Sequence, residues 1–121
     1  MLLIGMLFLF VFNINAQAPS NPYFNYKGKL IIIGGGSIPD SLFEFFAAHC
    51  GGKDQPVVYI PTATSDEKYI QEGGHLVKFS SRGFTNLSTI HTRDKVKADA
   101  PENIALMRKA KGIFFGGGDQ D

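Results

Sequence analysis

The stretch that decides the fold is KLIIIGGGSIPDSLFEFFAAHCGGKDQPVVYI, residues 29–60. It opens on a run rich in β-branched residues, KLIII (29–33), which predicts a strand ending at Gly34. A helical pattern follows from Ser37. Ser37 and Asp40 stand at capping-box spacing, Pro39 falls in the first turn, and Gly51 can supply a left-handed stop. Leu42, Phe43, Phe45 and Phe46 give this helix a broad apolar face for a sheet. VVYI (57–60), closed by Pro61, is the second strand. Strand, helix and strand in that order are one βαβ unit, and they imply a parallel sheet.

The pattern repeats toward the C-terminus. A weaker helix spans about 66–82, and Gly73 and Gly74 within it cost roughly 1 kcal/mol each relative to Ala, so a bend is expected there. LSTIH (87–91) is a third strand and IFF (113–115) a fourth. Between them DAPENIALMRKAKG (99–112) predicts a helix with a capping box at Asp99 and Glu102. Ile104 and Met107 should face inward, Arg108, Lys109 and Lys111 should lie at its cationic end, and Gly112 should be its stop. Four strands with three intervening helices make an open α/β sheet, and ligands of such sheets bind beyond the carboxyl ends of the strands. Three segments fall there: GGGS (34–37), PTATS (61–65) and GGGDQ (116–120).

Upstream, MLLIGMLFLFVF (1–12) is an uncharged apolar run. As a helix it would reach about 18 Å, against about 30 Å for a hydrocarbon core. Followed by Ala16, Gln17 and Ala18, it reads as a signal peptide over 1–18, hence a secreted or periplasmic product with no stable membrane span. A buried N-terminal helix or an uncleaved anchor is the alternative. Residues 19–28 form a Pro/Asn-rich lead-in. With 12 Lys and Arg against 11 Asp and Glu, the chain lacks the electrostatic footprint of a nucleic-acid binder.

Other motifs are weak. GGGSIP has the setting of a dinucleotide loop, but Pro39 stands where the third glycine belongs. SDEK (65–68) fits S-x-x-K without its partner motifs, so Ser65 or Asp66 reads as a helix cap. His49, His75 and His91 lack metal-ligand spacing and read as helix-end or surface residues; neither metal nor cofactor is expected. Cys50, the single cysteine, reads as a small buried hydrophobe. No G-x-S-x-G elbow occurs in 1–121.

LIIIGGGS, VVYIPTATS and GIFFGGGDQ together resemble the cyanophycinase-like serine exopeptidases, a group that includes the aspartyl dipeptidases. The likeness covers about residues 29–120. It implies the three-layer α/β/α, flavodoxin-like fold of class I glutamine amidotransferases, with only the N-terminal half and about four strands present. It also implies a serine nucleophile, a histidine base and an orienting acid located past residue 121, so that 29–121 is an incomplete peptidase domain, inactive alone. Gly117 and Gly118 match the glycine pair whose amides form the oxyanion hole, and Asp119 and Gln120 match the adjacent acid and amide, which contact substrate. Gly116 departs from a threonine common there. The implied partner is a peptide substrate, an aspartyl peptide or a cyanophycin-like polymer, and the full-length enzyme is a possible homodimer. A non-catalytic binding module of the same fold and a nucleotide-binding α/β domain remain open as alternatives.

Overall fold

A computed structural model of the chain describes residues 28–118. The signal segment 1–18, nearly all of the lead-in 19–28, and both Asp119 and Gln120 lie outside the described residues. The chain divides into two units, Met1–Leu30 and Ile31–Asp121. All the elements below belong to the second.

They run α1 (Asp40–Cys50), β1 (Val57–Ile60), α2 (Glu67–Gln71), α3 (Leu76–Ser80), β2 (Leu87–Thr89), α4 (Lys95–Ala98), α5 (Pro101–Lys109) and β3 (Gly112–Phe115). The three strands form one parallel sheet in the order β2-β1-β3. Val57 stands opposite Leu87 on one side and Gly112 on the other, and Ile60 opposite Phe115. A central parallel strand is covered on both faces, which explains why VVYI is continuously apolar rather than alternating. Val57, Val58 and Tyr59 are all buried.

The core lies on the Val57 side of the sheet. Phe43 and Ala47 of α1, Phe79 of α3 and Phe84 close over Val57, with Phe46, Leu87 and Phe114 packed around them. Phe45 instead lies outward against the His49 ring, so the apolar face of α1 is narrower than its sequence suggests. Gly51 ends α1 in the left-handed conformation at φ 92°, as its position predicts. Gly73 and Gly74, at φ 93° and 50°, divide the 66–82 segment into two short helices.

Three expectations are corrected, and one is qualified. Residues 29–33 join no strand, and Ile32 is 84% exposed. β-branched residues favour an extended chain, but a strand also needs a hydrogen-bonding neighbour, and 29–33 pairs with none of β1, β2 or β3. Neither capping box forms: the N-caps are Pro39 and Ala100, without side-chain hydrogen bonds. One rule accounts for both. A residue before proline is pushed out of the helical region, so Ile38 and Ala100 cannot sit in a first turn, and the starts move past Ser37 and Asp99. Ile104 and Met107 do face the sheet, across a groove they share with Ile60 and Ile90, but they stay 41% and 36% exposed rather than packed on it. Gly112 is no helix stop, since Ala110 caps α5 and Gly112 begins β3.

Gly112 has a packing reason to be glycine. A Cβ there would overlap the Phe46 ring and come within 2.6 Å of Cys50 Sγ. Overpacking of this kind costs about 1–3 kcal/mol. Gly112→Ala is therefore expected to lower stability by that amount, seen as a lower denaturation midpoint. An unchanged midpoint would mean that α1 does not seat on β3.

Candidate functional site

Two of the three segments expected beyond the strand ends do meet. β1 runs into Pro61–Ser65 and β3 into Gly116–Gly118, and because the two strands are adjacent and parallel, both loops leave the same end of the sheet. The Gly116 N–H still donates to Ile60 O at 2.9 Å, extending the ladder by one bond. Two residues on, Gly118 lies so close to Ala63 that a Cβ would overlap the Ala63 carbonyl and fall 2.8 Å from its Cβ. Only glycine fits. Gly117 is exposed, with open space where a side chain would be. Among the described residues, no backbone carbonyl or side chain accepts from the Gly117 or Gly118 amide. The third segment, GGGS, is exposed, with Gly35 and Gly36 at positive φ. The segment preceding it is not a strand, so the dinucleotide-loop setting is not met.

β2 contributes a third loop. His91 Nδ1 lies 3.5 Å from Thr62 Oγ1, and its Nε2 is 3.4 Å from Glu67 Oε2. Arg93 donates to Glu67 and, through its other terminal nitrogen, to Thr64 O at 2.8 Å. Hydroxyl, imidazole and carboxylate thus stand in the order of a catalytic triad. However, both links exceed the 2.7–3.2 Å of a well-formed bond, and Glu67 is already engaged by Arg93. That hydrogen bond is the main reason the Glu67 carboxyl is held below its ordinary range. The set ties the β1 and β2 loops together. His91 is therefore a part-buried loop tie rather than a surface or helix-end residue, and no motif in IHTRD marks it.

A groove of about 580 Å³ opens beside Thr62, on the face opposite the aromatic core. Ile60, Ile90, Ile104 and Met107 are its apolar lining, and Thr92 and Arg108 add polar groups. That volume is within the range of small-ligand sites.

On the core side, the carboxyl end of β1 holds a part-buried polar cluster that sequence reasoning missed. Tyr59, only 1% exposed, places its hydroxyl 3.2 Å from His75 Nδ1, and the Tyr69 hydroxyl is 2.9 Å from the same nitrogen. Burial, with a smaller contribution from Lys78, pushes the His75 pKa below its ordinary 6.5, and burial raises both tyrosines. Periodicity could not find the cluster, because its members come from β1, α2 and the α3 N-cap.

Cys50 is buried, and burial pushes its thiol up, so it stays protonated and unreactive at neutral pH. Asp66, not a catalytic serine–lysine pair, explains SDEK: its Oδ1 caps α2 by accepting from Tyr69 N at 2.9 Å. Among the described residues no group of three His, Cys, Asp or Glu could hold a metal ion, and no helix is long and apolar enough to cross a membrane. No family model, curated protein or solved structure matches the chain.

Proposed function

We propose that this chain supplies the oxyanion side of a serine exopeptidase of the cyanophycinase-like type. One observation carries the reading: the Gly116–Gly118 loop is seated on the Pro61–Ser65 loop so closely that Gly118 has no room for a side chain. Amides held on rigid backbone and aimed at a developing oxyanion need no reorganisation during reaction, and one such donor is worth about 2.7–4 kcal/mol. Gly117 and Gly118 take that role, with Asp119 and Gln120 beside them on the substrate. The groove next to Thr62 gives the substrate's side chains a place beyond the reacting carbonyl.

In this reading the α/β unit is the N-terminal half of a flavodoxin-like, three-layer domain. The serine, histidine and acid follow after residue 121, and residues 1–18 direct export. The substrate is an aspartyl peptide or a cyanophycin-like polymer. Residues 1–121 alone should hydrolyse neither, whereas the gene product with its downstream codons should. Turnover by 1–121 alone, or none by the longer product, would sink the reading.

A further inference from the structure

We propose that His75 and Tyr59 form a proton-gated positioning device for the Gly116–Gly118 loop. The Tyr59 hydroxyl is wedged between two glycines. A Cβ at Gly74 or at Gly116 would come within 3.0 Å of it, so the α2–α3 turn and the loop after β3 both rest on this one oxygen. Its side-chain partner is His75 Nδ1, at 3.2 Å, and the His75 backbone N–H also donates toward it. Among the described residues it makes no other side-chain hydrogen bond.

A neutral imidazole protonated on Nε2 has one lone pair at Nδ1. Two tyrosine hydroxyls address it, Tyr59 and Tyr69. While His75 is neutral, that lone pair accepts from either. Once His75 is protonated, Nδ1 becomes a donor. Both hydroxyls must then turn to accept, and their own protons need new acceptors. Tyr69 is part-exposed and can find water. Tyr59 is sealed in and cannot, so it is relieved only if its wall moves, and Gly116 is part of that wall.

The charged and titratable surroundings add no opposing effect. α2 presents Tyr69, β1 presents Tyr59, α3 contributes the cationic Lys78, and β3 presents the Phe114 ring, 5.3 Å from the imidazole. Among the described residues no carboxylate pairs with His75 to favour its charged form. The sign follows. The unfolded chain takes up this proton first, so native protection is full above the ordinary value of 6.5 and falls as the pH drops toward the lowered native value.

Hydrogen exchange of the gene product tests this directly, because the Gly116 N–H is itself bonded to Ile60 O. After correction for intrinsic chemistry, Gly116 should lose protection on going from about pH 8 to about pH 5, by about tenfold per unit of pKa depression. His75→Gln should abolish that dependence. In the wild-type protein, nitrogen-15 shifts should report an unprotonated Nδ1 at about pH 8, titrating in step with Gly116 exchange; this arm needs no variant that must fold. Protection independent of pH, the same dependence in His75→Gln, or a protonated Nδ1 at high pH would each overturn the proposal. Any effect on turnover rests on the peptidase reading, but the exchange measurement does not. A pH-gated loop in a protein that cleaves no peptide would leave the device standing and remove the enzyme.

Discussion

Phe79→Ala is expected to lower stability by about 3–5 kcal/mol, as full truncation of a buried aromatic does. Phe79 is 2% exposed and sits at the hub of the aromatic core. Its ring centroid is 5.0 Å from Phe43, 5.1 Å from Phe84, 5.2 Å from Phe114 and 5.6 Å from Phe46, each pair edge to face. It therefore joins α1, β3 and the segment before β2 to the five-residue α3, which makes few other apolar contacts of its own. Edge-to-face pairs add about 0.5–1.5 kcal/mol each beyond area burial. A domain typically has only 5–15 kcal/mol in total, so the variant should be close to unfolding at ambient temperature. Phe45→Ala is the control. Phe45 is on the same helix as Phe43 but faces outward, and its loss should fall within about 0.5 kcal/mol, as at other surface sites. Denaturation midpoints that rank Phe45 at or above Phe79 would contradict the packing described.

The second large effect belongs to activity. On the proposed peptidase reading, Gly118→Ala in the gene product is expected to reduce kcat by a hundredfold or more, about what loss of one oxyanion donor costs. A methyl group at 118 would overlap the Ala63 carbonyl, so the loop must lift off Pro61–Ser65 and re-aim its amides. The strand pairing that precedes it, from Val57–Gly112 to Ile60–Phe115, is untouched, and the fold should persist. Gly117→Ala keeps its N–H and meets open space, so its loss should be much smaller. Equal losses at the two positions would show that the contact with Ala63 does not set the donors. A kcat for Gly118→Ala near wild type would remove the oxyanion assignment.

The strands and stops that depend on short-range chemistry were legible in the sequence. VVYI, the start of LSTIH, and IFF are strands, Gly51 ends its helix, and Gly73–Gly74 breaks the next one. What was illegible depends on partners far along the chain. KLIII has the composition of a strand, but pairing depends on strands later in the sequence, and it pairs with none of them. The two capping boxes failed on a local rule, since proline two residues after a would-be cap excludes the residue between from the first turn. The two halves of the site were also unequally legible. The glycine runs that meet the β1 loop are visible in the sequence, whereas Tyr59 and His75 are 16 residues apart and Thr62 and His91 are 29 apart, with no spacing rule to join them.

The central claim, that the Gly116–Gly118 loop seated on the β1 loop serves a serine from elsewhere in the gene product, is tested most directly by covalent labelling. The gene product would be treated with a serine-directed fluorophosphonate, digested, and the modified residue located by peptide mass. The account predicts one labelled serine past residue 121, with labelling suppressed by Gly118→Ala. Label on Ser37, Ser65 or any other serine within residues 1–121, or no label on an intact and folded product, would contradict it.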